Sequence, residues 1–448
     1  MSEKNYKLVR NLELIAFLIL ALVAAYGLVI TKAPDEAMRY LIPQYIFNHG
    51  KLPVGTEPEV INQIWGFSYA LYPYLTSQIS VVFMKIASVF TASPLVLLFA
   101  ARLTSVLSGF GTMIFAFKAG KLFFKENEFA LLFGTFVGFV PQFIFLCSYQ
   151  NNDCFAVFCS AIIIYCWAYA LKNGWSMKVC LGLGIGCGLC MLSYYSAYIY
   201  CLASLILYFV NRAMKKEKVS DILLKALFII IIAFLIAGWF FVRNYLIHNG
   251  DFLGRRTLNE LAEQFAMEGF KPSQLANPAN MGFTFKQTFI SLYPGQVLRW
   301  PVIVIYSFFG CFGYMEHWLV KPIYFLYLIL VAVPAVIFIV YMIARGKKEK
   351  PFFISGKLTL LMILLIFMNL GLFMYMVYYS DWQGQGRYMM PSLLPVMLMA
   401  TGGIRAIAGK RADNKPNGSV LAKVIIVVYF ALCVFNYVRY FAPNCLQF

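Results

Sequence analysis

The chain has 448 residues, 61% of them hydrophobic, 18% aromatic and only 12% charged, whereas a soluble domain carries about a quarter charged residues. That excludes a soluble globular fold, and unbroken apolar runs of about 17–25 residues exclude a closed barrel, whose strands read as ~10-residue alternating segments. The net charge of +18 sits in short runs between apolar stretches rather than along one face, which speaks for membrane topology and against a nucleic-acid surface.

The first predicted span covers 12–31, behind Lys4, Lys7 and Arg10. At that length it reads as an uncleaved anchor, not a signal peptide. Further spans are predicted at 94–117, 129–147, 154–171, 177–193, 195–211, 222–242, 322–344, 357–379, 388–408 and 420–441, about eleven in all. The basic clusters Lys118/Lys121/Lys125, Lys172/Lys178, Arg212/Lys215/Lys216/Lys218/Lys225, Arg345/Lys347/Lys348/Lys350/Lys357 and Arg405/Lys410/Arg411/Lys415/Lys423 fall in alternate loops. By the positive-inside rule these loops and the N-terminus are cytoplasmic, and the loops 32–93 and 243–321 are external. Two apolar stretches, 67–92 and 300–318, would invert the following loops if they crossed, so both are expected to lie in or re-enter the membrane. Gly182, Gly184, Gly186 and Gly188 form overlapping GxxxG pairs, whose ordinary meaning is close helix packing. Loop 243–321, with an amphipathic stretch near 257–268, is expected to be an ordered external cap. The expected fold is a single all-α polytopic membrane domain, 1–448, with no large soluble part and with its two external loops forming the working face.

The eleven cysteines lie mostly inside apolar runs, without CxxC or Cys/His spacing, and His49, His248 and His317 share no ligand spacing. The chemistry-bearing candidates are acids and arginines at span ends. Asp35 and Glu36 follow the first span; they suit either a helix N-terminus, whose dipole favours acids, or catalysis, the default for ionisable groups at membrane depth. Asp153 opens the fourth span within Tyr149-Gln-Asn-Asn-Asp153, where capping is again the plain alternative. All three acids come out external in a topology derived from basic residues alone. Two carboxylates meeting in one cavity suit a base beside a sugar or metal ligand. Arg387 and Tyr388 stand in Gln383-Gly-Gln-Gly-Arg387-Tyr388-Met-Met-Pro391, where a boundary Arg either snorkels or binds phosphate, with flanking glycines opening backbone N–H groups to an anion. Arg243 ends the seventh span, Lys85 is the basic residue of 67–92, and Arg102 lies inside the second span and needs a partner there.

This layout resembles the class C membrane glycosyltransferases, which use polyprenyl-phosphate sugars and include protein O-mannosyltransferases and bacterial aminoarabinose transferases. The resemblance rests on Asp35-Glu36, Asn151-Asn152-Asp153, Arg102 behind a Tyr/Pro-rich stretch, and Gly386-Arg387-Tyr388-Met-Met-Pro391, and covers most of the chain. It implies a cell-envelope enzyme in the bacterial plasma membrane that moves a hexosyl or pentosyl group from a polyprenyl-phosphate donor to a surface polymer, lipid or protein. It further implies Asp35 as the catalytic carboxylate, working as base in an inverting displacement. Glu36 and Asp153 would orient the sugar, or Asp35 and Asp153 would hold a divalent metal (Mg, Mn or Zn), as some members require. Arg387, Arg243, Tyr388, Lys85 and Arg102 would receive the lipid phosphate. Many members carry a soluble C-terminal domain that binds the acceptor, which is not seen in this sequence. The rival expectation is a transporter or flippase for a lipid-linked or anionic solute, whose marks would be inverted repeats and midplane charges.

Overall fold

The computed structural model describes residues 1–345, 354–409 and 417–447; Lys347, Lys348, Lys350, Lys410, Arg411 and Lys415 of the basic clusters lie outside them. The chain is an all-α polytopic membrane protein. Among the described residues nine helices are long and apolar enough to cross a bilayer: Glu3–Gly27, Pro94–Phe123, Asp153–Asn173, Tyr195–Met214, Val219–Ile247, Lys321–Ala344, Gly356–Tyr379, Gly386–Ala408 and Gly418–Cys445. The two remaining predicted spans are also helical but differ in shape. Residues 129–147 divide into Asn127–Gly138 and Pro141–Leu146, because proline cannot continue a helix and drives Val140 to extended geometry. The span at 177–193 is a 15-residue helix, Met177–Met191.

Numbered in chain order, the helices used below are α1 (Glu3–Gly27), α2 (Glu36–His49), α3 (Leu75–Ser88), α4 (Pro94–Phe123), α5 (Asn127–Gly138), α6 (Pro141–Leu146), α7 (Asp153–Asn173), α8 (Met177–Met191), α9 (Tyr198–Met214), α10 (Val219–Ile247), α11 (Arg255–Phe265) and α12 (Trp300–Phe309). Then follow α13 (Lys321–Tyr327), α14 (Val333–Arg345), α15 (Gly356–Tyr379), α16 (Leu393–Ala408) and α17 (Asn417–Asn436). Helices α7 and α16 form the buried centre, whereas α1, α10 and α17 turn apolar side chains such as Leu12, Ile19, Leu227, Leu235 and Val427 outward. In a chain of this hydropathy such exposed apolar faces are lipid-facing. The glycine stripe of α8 packs as expected: a Cβ on Gly184 or Gly188 would stand 2.8 Å from Ile232 or Ile236 of α10.

Charges separate to the two ends. At one end Lys121 meets Glu3, Arg405 meets Glu126, Arg212 meets Glu217 and Asp221, and the N-terminal amine meets Glu128. At the other lie α2, α3, α11, α12 and a short hairpin, β1 (Cys311–Phe312) with antiparallel β2 (His317–Trp318). α3 and α12 have 14 and 10 residues, so at 1.5 Å per residue neither crosses a core of about 30 Å. The second half of 300–318 is this hairpin rather than helix.

Candidate active site

Leaving α1, the chain makes a short 3₁₀ turn and delivers Pro34 and Asp35 to the charged mouth of the bundle. Asp35 is the N-cap of α2 with φ 63° and ψ 0°, a left-handed conformation rare for a residue with a Cβ, and its side chain makes no capping bond. Asp35 and Glu36 therefore do stand at a helix N-terminus, as the helix-dipole alternative expects, but the Asp35 side chain makes no capping bond, and backbone strain of this kind persists only where surroundings enforce it. What the carboxylate meets is Arg387, whose Nη2 donates to Asp35 Oδ2 at 2.5 Å. The same nitrogen reaches the Tyr388 hydroxyl at 3.1 Å, while Nη1 reaches Pro34 O at 3.4 Å. Burial works to raise the Asp35 carboxyl, but the charges of Arg387 and Arg39 outweigh it and hold the carboxyl below its ordinary value.

Arg39 follows one turn along α2, buried, with its guanidinium 4.6 Å from the ring centre of Tyr69 and 5.5 Å from that of Tyr194. Its Nη2 stands 3.9 Å from Asp153 Oδ2, and both side chains are 5% exposed. Two arginine–aspartate pairs therefore face each other, and Arg39 feels both acids. Sequence reasoning missed Arg39, although its spacing of four from Asp35 places the two on one helix face. Asp153 is not a cap either, because Asn151 Oδ1 accepts from Cys154 N at 2.8 Å and takes that role. Buried polar atoms are almost always paired, yet here Arg39 Nε and Nη1, Arg387 Nε, Tyr149 Oη and Asp153 Oδ2 all lack a hydrogen-bond partner. Three unpaired guanidinium N–H groups and a phenol at one mouth form a donor set suited to an oxyanion.

Glu36 and Arg102 stand elsewhere in the scheme than expected. Arg102 Nε and Nη2 grip Glu36 Oε1 and Oε2 at 2.8 and 2.6 Å, while Arg102 Nη1 donates to Ala25 O and Leu28 O. Gln150 N completes the carboxylate at 2.8 Å. This sealed pair supplies the partner Arg102 required and braces α1, α2, α4 and the turn before α7, with both side chains buried away from the surface. Arg243 donates to Leu52 O and Pro53 O at 3.3 and 2.9 Å, pinning loop 50–57 rather than joining Arg387. Lys85 is exposed on α3 beside Phe47. The glycine just before Arg387 does not offer its amide to an anion: Gly386 N donates to Ser307 Oγ at 2.7 Å, and a Cβ there would lie 2.1 Å from Phe308 N, while a Cβ on Gly384 would lie 2.6 Å from Ile303. They let the loop press onto α12.

A divalent cation shared by Asp35 and Asp153 does not fit this arrangement, because each carboxylate already faces an arginine. Among the described residues no group of three His, Cys, Asp or Glu side chains could hold a metal.

A polytopic bundle with its ionic site at one mouth, beside short helices that do not cross, is similar in fold to the class C membrane glycosyltransferases. The family model for dolichyl-phosphate-mannose-protein mannosyltransferases matches residues 80–239, a stretch that includes Arg102 and Asp153. Among solved structures the chain is similar to ArnT from Cupriavidus metallidurans bound to undecaprenyl phosphate, with TM-score 0.55 and 12% identity over 98% of this chain and 72% of that one. It is also similar to the oligosaccharyltransferase AglB from Archaeoglobus fulgidus in complex with an inhibitory peptide and a dolichol-phosphate, with TM-score 0.56 and 14% identity over 95% of this chain and 55% of that one. No curated protein matches the chain by sequence.

Proposed function

We propose that this protein transfers a sugar from a polyprenyl-phosphate donor to an acceptor at the external face of the plasma membrane. The observation that carries this reading is the pairing of Asp35 with Arg387 and of Arg39 with Asp153 around unpaired, buried N–H donors. The donor phosphate takes Arg387 Nε and Arg39 Nε and Nη1, with Tyr149 and Tyr388 beside it; Asp153 aims Arg39. The acceptor oxygen or nitrogen attacks the anomeric carbon from the opposite face, the bond from that carbon to phosphate oxygen breaks, its electrons leave on the phosphate, and the acceptor proton passes to Asp35. Cationic donors fixed in advance stabilise the charge that develops on the leaving group. Arg387 is shared: a bound phosphate draws it from Asp35 and restores the basicity of that carboxylate when donor is present. The fold of polyprenyl-phosphate-binding proteins and the family match over the centre of the chain support this reading.

The test is release of polyprenyl phosphate from labelled polyprenyl-phosphate sugars, with cell-envelope extract supplying acceptor. Asp35→Asn is expected to lower release by about 10²–10⁴-fold, the usual contribution of a general base, while inserting normally. Release at the wild-type rate by that variant would remove Asp35 from the mechanism, and no release by wild type across several donors would overturn the reading.

A further inference from the structure

Every carboxylate described so far at this mouth faces a guanidinium: Asp35 meets Arg387, Asp153 meets Arg39 and Glu36 meets Arg102. Asp381 does not. It stands in the loop between α15 and the Arg387 turn, half-buried, and no Lys, Arg or His lies within ion-pair distance of it among the described residues. A continuous polar chain ties it to the catalytic pair. Gln383 Nε2 donates to Asp381 Oδ2 at 3.3 Å, the Tyr388 hydroxyl donates to Gln383 Oε1 at 3.1 Å, and Arg387 Nη2 donates to that hydroxyl at 3.1 Å and to Asp35 at 2.5 Å.

The loop is fixed rather than loose. Trp300 Nε1 holds Gln383 O at 2.9 Å, Ser307 Oγ holds Gly384 O at 3.1 Å, and Trp382 donates to Thr288 O at 3.2 Å while stacking on Tyr293 at 4.3 Å. A carboxylate on such a loop keeps its place without a counter-ion, a costly choice for a half-buried acid. Burial first, and then the negative charge of Asp35, raise its carboxyl above the ordinary value, so the two acids are close enough to sense each other. Opposite environments acting on two neighbouring carboxyls mark a division of labour. Asp35 is bound to the phosphate-binding cation, and Asp381 is free to accept a hydrogen bond from a molecule arriving from outside.

We propose that Asp381 is the acceptor-binding carboxylate of this site. It accepts a hydrogen bond from a hydroxyl of the acceptor and thereby sets the nucleophile beside Asp35. The inference rests on the glycosyl-transfer reading above and adds the place and chemistry of acceptor recognition to it.

The experiment titrates cell-envelope extract against a fixed labelled polyprenyl-phosphate sugar, using wild type, Asp381→Ala and Asp381→Glu, and measures binding of labelled polyprenyl phosphate in parallel. Asp381→Ala is expected to raise the half-saturating amount of extract at least ~10-fold, the loss of one charge-assisted hydrogen bond. Its affinity for polyprenyl phosphate should stay within about twofold of wild type, and Asp381→Glu should recover part of the acceptor affinity. Only the bond to Gln383 is lost, so folding is expected to survive, and thermal unfolding in detergent checks that. An unchanged half-saturation point in Asp381→Ala, or a matching loss of polyprenyl-phosphate affinity, would overturn this inference alone. Absence of release by wild type would overturn it together with the reading on which it rests.

Discussion

Arg387 lies 2.5 Å from Asp35, and Arg39 adds a second positive charge to the same carboxyl. A carboxyl held below its ordinary value is ionised above that value and loses its charge as pH falls through it. The acid limb of kcat/KM is therefore expected below 3.8, the ordinary aspartate value, in wild type. In Arg39→Gln, which removes one positive charge, the limb is expected to move upward; a pH profile of polyprenyl phosphate release reads both, and an unmoved limb would detach Arg39 from Asp35. Arg39→Gln is also expected to weaken binding of labelled polyprenyl phosphate about 10-fold or more, the scale of a lost charged hydrogen bond, whereas Arg243→Ala leaves it unchanged because that guanidinium holds the carbonyls of Leu52 and Pro53. The meeting of Asp35 and Arg387 at one mouth was foreshadowed in the sequence because an ionisable residue at the end of an apolar run has few ordinary reasons to be there. Arg39 was not, since a basic residue in a short segment between spans looks like a solvated face until Asp153, far along the chain, is brought opposite it. Arg243 misled for the converse reason: being at the right depth does not place a side chain in the right direction.

At the scale of helices and turns, the elements that carry Asp35 and Arg387 are fixed by contacts made for shape. Glu36 is fully buried and Arg102 2% exposed, and breaking a buried pair leaves one charge uncompensated, a loss of about 3–5 kcal/mol. Glu36→Gln is expected to lower the thermal unfolding midpoint in detergent sharply, and the double variant Glu36→Gln/Arg102→Met to recover much of it. A double variant no more stable than the single would show that the pair does more than neutralise itself. Gly386→Ala is a second case, because its Cβ would meet Phe308 N at 2.1 Å and the backbone must shift to relieve it. That shift carries Arg387 with it, so release of polyprenyl phosphate should fall at least ~10-fold, in keeping with the sensitivity of reactions to sub-ångström placement. The sequence showed that Gly-Gln-Gly-Arg was unusual but not why: glycine for an anion and glycine for close packing have one signature, and only the position of α12 separates them. Likewise Asn151 and Asp153 are both cap-forming residue types, and nothing in their order says which of them turns back to the helix.

Across the whole molecule, spans were the most legible feature because twenty consecutive apolar residues have almost one use. The run at 129–147 hid its break, since Pro141 interrupts a helix without interrupting hydrophobicity. The two ends of the bundle differ in the charge of their loops. The end that gathers Lys121, Arg212, Lys215 and Arg405 carries the basic loops, and the other end holds Asp35, Asp153 and Asp381. By the positive-inside bias the first is proposed to face the cytoplasm. Lys215 is exposed at the C-terminal end of α9, and Glu260 is exposed on α11 beside the site. In intact cells a membrane-impermeant thiol reagent is expected to label Glu260→Cys and to leave Lys215→Cys unlabelled until the membrane is opened. Background should be low, because ten of the eleven native cysteines are buried and Cys201 is partly so. Labelling of Lys215→Cys alone would place the acidic mouth, and any reaction there, inside the cell, where a lipid-linked donor would have to present its sugar on the cytoplasmic leaflet.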